Sequence, residues 1–161
     1  MTTNSNPLEQ LNKLQGSKTV IVGIGNTLKG DDGAGPLVCQ KLMGKVAAEV
    51  VDAGTVPENY VGPIIKKTPQ TLIIIDAIDF GASPGTLSIF RPDQLDSFVF
   101  STHALSPHMF VDPICQQTNP DVFFIGIQPE HTRLGEPICA PVQKAVQQLA
   151  QTLIAVFALQ Q

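Results

Sequence analysis

The stretch Val20 to Pro36, V-I-V-G-I-G-N-T-L-K-G-D-D-G-A-G-P, constrains this chain more than any other. Thr19-Val20-Ile21-Val22 is apolar on both faces, as a strand buried inside a parallel sheet must be. It runs into a glycine-rich turn through Gly23, Gly25 and Gly30, and then into a segment with Leu37, Val38 and Leu42 at helical spacing. Strand, glycine loop and helix is the plan of a phosphate-binding turn, but the residues refuse that use. The dinucleotide fingerprint needs glycine where Leu28 stands, and the P-loop needs Lys-Ser/Thr where Asp31-Asp32 stand. Two carboxylates repel a phosphate and attract a cation. The turn presents acid.

Length and composition narrow the rest. A chain of 161 residues supports one domain, and a domain of that size buries roughly 70% of its unfolded surface. With 15% charged and 43% hydrophobic residues, a compact core is expected. A net charge of -4, with ten Lys and Arg scattered along the chain, argues against a nucleic-acid surface. No window approaches the ~20 uncharged apolar residues of a membrane span. Cys39, Cys115 and Cys139 form no C-x-x-C pair, and no signal peptide precedes them. Reduced thiols, and a cytoplasmic location, are the expectation.

Read in order, Pro7 opens a short helix with Leu8, Leu11 and Leu14 on one face, and the first strand follows. Ala48–Asp52 reads as a second strand, and Pro57-Glu58 starts a helix that Pro63 keeps short or kinks. Thr71–Ile75 is the strongest strand, with Asp76 opening a loop to Gly85. Gly85–Phe90 alternates like a half-exposed strand and, after so short a connection, should run antiparallel to its predecessor. Pro92–Phe98 reads as a turn. A helix follows from Ser106 to about Gln116, its end limited by Pro113, and then a buried strand Val122–Ile127. A closing helix from about Pro137 to Leu159 carries Ile138, Val142, Ala145, Leu149, Leu153 and Val156 on one stripe. This alternation is an α/β three-layer sandwich: a twisted, mostly parallel mixed sheet of about five strands with helices on both faces.

Ligands gather at the carboxyl ends of strands in such sheets. Asp31 and Asp32 follow the first strand, Asp76 follows the third, and His103 precedes the middle helix. Two carboxylates and an imidazole from separate loops make a three-ligand cation site with positions left open. Each has a plainer use as well: Asp31 as a helix N-cap, Asp76 as a turn cap, His103 as a loop histidine, with His108 competing for any ligand role. Glu130 and His131 read as solvent-facing. No G-x-S-x-G or H-E-x-x-H motif offers another catalytic set.

Five ordered segments carry a resemblance: G-I-G-N-T-L-K-G-D-D-G-A-G-P, D-A-G-T-V-P-E-N, L-I-I-I-D-A-I-D-F-G-A-S-P-G, S-T-H and I-G-I-Q-P-E. Together they resemble the [NiFe]-hydrogenase maturation endopeptidases, in the branch that serves the formate-hydrogenlyase type of hydrogenase. The resemblance spans residues 19 to about 159 and leaves residues 1–18 as an N-terminal extension to a single domain, 19–161. It implies an enzyme that removes a C-terminal peptide from the hydrogenase large-subunit precursor once nickel is inserted. It also implies a metal-contacting triad at Asp32, Asp76 and His103, with Asp32 and Asp76 as the catalytic pair. Some members carry Glu at the position of Asp32, which keeps the carboxylate and lengthens its reach. Nickel is expected to arrive on the substrate, with no other cofactor, and a monomer is expected. His108 follows a Ser-Pro pair resembling the family histidine's context in other branches, so both histidines stand as candidates, with His103 favoured. A metallohydrolase with its own resident ion and a non-cleaving nickel chaperone are the rival readings.

Overall fold

The computed structural model describes residues 6–100 and 106–159. Five strands lie in the order β2 (Glu49–Gly54), β1 (Thr19–Ile24), β3 (Thr71–Asp79), β6 (Asp121–Ile127) and β4 (Leu87–Phe90). The two-residue strand β5 (Val99–Phe100) joins the end of β3. β2, β1, β3 and β6 are mutually parallel, and β4 pairs antiparallel with β6. β4 therefore runs opposite to β3, as the short connection requires, but β6 is inserted between them. The mixed three-layer sandwich stands, with β5 added to it.

The β-branched runs place alternate side chains in two separate cores. Ile21, Ile73, Ile75, Ile125 and Ile127 meet α2 (Ala34–Leu42) and α5 (Ala140–Val156) on one face. Val20, Val22, Leu72, Ile74 and Phe124 meet α3 (Val61–Lys67) and α4 (Pro107–Thr118) on the other. Burial of each such Val, Ile or Leu contributes about 1.5–3 kcal/mol. The short helix α1 (Pro7–Gln10) leads into a 3-10 turn that drops Leu11 into the first core.

Three of the boundaries that differ from the sequence expectation have a clear physical cause. β3 does not stop at Ile75: Asp76 and Ala77 pair with Gly126 and Ile127, and Ile78 and Asp79 pair with β5. Asp76 thus lies inside a strand instead of opening a loop, because neighbouring strands supply ladder partners past the apolar run. α4 continues beyond Pro113 to Thr118 and ends at Asn119 in a left-handed conformation (φ 47°). Proline removes one helical hydrogen bond and costs about 3 kcal/mol in a helix interior. Burial of Phe110, Val111 and Ile114 offsets it, and Met109, whose carbonyl loses that donor, is exposed. α5 begins at Ala140, not Pro137, because Cys139 stays extended (φ -74°, ψ 157°) with its N–H committed elsewhere.

No helix among the described residues is long and apolar enough to cross a membrane.

Candidate active site

The glycine turn delivers two adjacent carboxylates with different surroundings. After β1 the chain turns back through Gly25 (φ +145°), where a Cβ would come within 1.9 Å of the Asp32 carbonyl, so only glycine fits. A single 3-10 turn, Gly30–Gly33, then carries Asp31 and Asp32, both fully buried, into α2. α2 seats directly on the sheet at Gly35, whose missing Cβ would lie 2.4 Å from the Ile75 carbonyl and 2.5 Å from that of Ile24. This close approach fixes the turn relative to β3, one residue before Asp76.

Asp31 is not an N-cap. Its carboxylate reaches across to the loop between β6 and α5. Oδ2 accepts from the N–H groups of Glu130 (2.7 Å) and His131 (3.2 Å), and Oδ1 from that of Cys139 (2.8 Å). The Cys139 thiol donates to Oδ2 at 3.2 Å, and Asp31 N–H donates to the His131 carbonyl at 3.1 Å. Burial works to raise this carboxyl's pKa, but the donated hydrogen bonds outweigh it and hold the value below the ordinary one. Asp31 is a fastener. The Cys139 thiol, desolvated and bonded to that carboxylate, is pushed up to about 11 and is a poor nucleophile.

Asp32 and Asp76 face each other electrostatically. Asp32 Oδ2 accepts the N–H of Asn26 at 2.7 Å. Asp76 is 3% exposed, and its carboxyl is raised well above the ordinary carboxylate range, first by burial and then by the negative charge of Asp32. Two carboxyls that push one pKa upward form an acid/base pair of the kind in which one group holds a proton and the other accepts one.

Among the described residues, no three His, Cys, Asp or Glu side chains gather closely enough to hold a metal ion. His103 lies outside the described residues. His108 sits in the first turn of α4, with Nε2 2.9 Å from Asp96 Oδ1 and Nδ1 3.7 Å from Asp112 Oδ1. Its acidic partners are therefore Asp96 and Asp112, not Asp32 or Asp76.

The comparisons with known proteins identify the family. The family model for HycI, hydrogenase maturation protease, matches residues 37–156. The Hydrogenase 3 maturation protease of Escherichia coli K12 is 34% identical over 137 residues, covering 83% of this chain and 87% of its own length. The chain belongs to the hydrogenase maturation protease family. It is a peptidase by that membership. The crystal structure of the [NiFe] hydrogenase maturation protease HycI from Thermococcus kodakarensis superposes with a TM-score of 0.82 at 32% identity, covering 92% of this chain and 97% of that one. The crystal structure of the Hydrogenase 3 maturation protease gives a TM-score of 0.75 at 34% identity, covering 84% and 88%.

Two further residues of this maturation protease were not assigned a role from sequence. Gln128, 5% exposed, closes the loop after β3. Its amide oxygen accepts from the N–H of Phe80 (2.9 Å) and Ala82 (3.2 Å), and its NH2 donates to Asp79 Oδ1 (3.0 Å). His131 is half-buried rather than solvent-facing: its imidazole rests against Gly30, and its Nδ1 is buried without a hydrogen-bond partner. The I-G-I-Q-P-E segment gave a signal for Gln128, a polar residue directly after a wholly apolar strand. Nothing in the sequence pairs Asp31 with Cys139, which lie 108 residues apart.

Proposed function

We propose that this protease removes the C-terminal peptide from the large-subunit precursor of a [NiFe]-hydrogenase in the cytoplasm, after nickel insertion, and senses the nickel through Asp32, Asp76 and His103. The observation that carries this reading is the buried Asp32–Asp76 pair at the carboxyl end of the sheet, with the Asp76 carboxyl raised by burial and by its neighbour. Two desolvated carboxylates held beside each other by separate elements are stabilised by a divalent cation between them. The nickel enters as part of the substrate.

In this reading the precursor presents its ion to Asp32, Asp76 and His103, and that contact places the scissile peptide beside the carboxylates. A bound divalent ion supplies charge stabilisation for the carbonyl oxygen. Asp32 accepts the proton of the attacking water as general base, and Asp76, whose carboxyl favours the protonated form, returns a proton to the leaving amine. A precursor lacking nickel leaves the two acids without a cation and without a positioned peptide.

The test is cleavage of the nickel-loaded precursor followed by intact mass. Asp32→Ala and His103→Ala should each lower the rate by at least about 100-fold, while His108→Ala should cleave like the unaltered protein. Full-rate cleavage by Asp32→Ala or His103→Ala would overturn the assignment.

A further inference from the structure

Beside the carboxylate pair runs a groove of about 290 Å³ that the mechanism above does not use. Its walls come from the glycine turn (Asn26, Thr27, Leu28), from α2 (Pro36, Gln40) and from the end of β2 (Asp52). It shares a wall with the site, because Asn26 both lines it and donates its N–H to Asp32 Oδ2. Small-ligand pockets start at roughly 300 Å³, so this groove fits one long side chain.

Its chemistry is uneven. Asp52 is the single charged residue on the walls, and no lysine, arginine or histidine among the described residues lines it. Among the described residues the sole hydrogen bond to the Asp52 carboxylate is the N–H of Gly54 at 3.2 Å, and no ion pair neutralises it. The charge is felt below the groove too: burial first, and Asp52 second, push the Cys39 thiol up to about 12. Leu28, 67% exposed, and Pro36 give the groove an apolar side. A carboxylate at one end and aliphatic surface along the wall suit a side chain with an apolar stem and a cationic head.

We propose that this groove is the subsite for a lysine or arginine side chain of the precursor close to the scissile bond, with Asp52 as the residue that selects it. The inference rests on the function proposed above, since the occupant is a segment of that substrate. Asp52 does not touch the reacting atoms. It sets where the peptide lies along the sheet edge and so which bond reaches Asp32.

The test measures both binding and cleavage of the nickel-loaded large-subunit precursor from the same organism. Asp52→Asn keeps the oxygen that accepts from Gly54 and removes the charge, so the fold is preserved. It should raise KM and Kd about tenfold, the loss expected for one charged hydrogen bond, with kcat within about twofold. Gln40→Glu, which adds a charge to the same wall, should lower KM. Each lysine or arginine within about six residues of the cut would be changed to glutamine in turn. One of these should reproduce the Asp52→Asn shift and produce no further loss in the Asp52→Asn background, the mark of a coupled pair. Unchanged KM and Kd for Asp52→Asn, or losses that simply add for every basic residue, would overturn the subsite while leaving the endopeptidase reading intact. Tenfold weaker binding by Asp52→Asn with no cleavage by any variant, the unaltered protein included, would keep the subsite and sink the endopeptidase.

Discussion

Asp31→Asn tests the fastener that holds the carboxylate turn, and the geometry makes its effect calculable. Both carboxylate oxygens face donors: Cys139 N–H on Oδ1, and the N–H groups of Glu130 and His131 with the Cys139 thiol on Oδ2. Whichever oxygen becomes NH2, a donor then points at a donor inside a fully buried site. A hydrogen bond to a charged group contributes about 1.5–3 kcal/mol, and an orphaned buried donor costs about 1–3 kcal/mol. Retaining the contacts of one oxygen, the variant should lose about 2–4 kcal/mol, which for a domain near this size lowers Tm by about 6–12 °C. The pH dependence has a definite sign. Asp31's carboxyl sits below its ordinary value of 3.8 when folded, so its contribution is complete above that pH and drains away as pH falls through the lowered value. Urea unfolding should therefore show the same gap between the two proteins at pH 7 and pH 5, narrowing below about pH 4. A variant within about 0.5 kcal/mol of the unaltered protein at pH 7 would refute the role given to these hydrogen bonds.

Other perturbations have equally direct outcomes. Asp76→Asn should be more stable than the unaltered protein at pH 7 by on the order of 1 kcal/mol and match it near pH 4, while losing cleavage. The sign follows from Asp76's raised folded pKa, which makes stability fall as pH rises from the ordinary carboxyl range towards the folded value; a lower melting temperature at pH 7 would contradict it. Gln128→Leu strands the N–H groups of Phe80 and Ala82 and should cost about 2–3 kcal/mol by urea unfolding, with thermolysin cutting first in the loop after β3. Gly35→Ala should cost about 1–3 kcal/mol by forcing α2 off the sheet, and should lower kcat more than it raises KM by displacing Asp32. An unchanged melting temperature for Gly35→Ala would show that α2 is less tightly seated than the 2.4 Å approach requires.

The layers and the helices on both faces were legible because they rest on local periodicity. The runs Thr19–Val22 and Thr71–Ile75 are short, apolar and rich in β-branched residues, as buried strands of a parallel sheet are. What was not legible depends on partners far away in sequence. Asp76 joins β3 because Gly126 and Ile127 lie alongside, and no window around Asp76 contains that information. Asp31 becomes a fastener because residues 130–139 fold over it, although an Asp at a turn before a helix reads as a cap. The same loop turns His131 inward and delays the start of α5, two differences with one cause. The acidity of the turn was legible, and the resemblance singled out Asp32; that Asp31 is a structural carboxylate required three dimensions.

In the proposed function, nickel on the substrate licenses the cut. Purified protein would be mixed with its organism's large-subunit precursor, nickel-loaded in one sample and nickel-free in the other, and followed by intact mass. Loss of one defined C-terminal peptide is expected from the nickel-loaded precursor, with an unchanged mass for the nickel-free one. Equal cleavage of both would contradict it, and would make Asp32 and Asp76 the acids of an ordinary hydrolase.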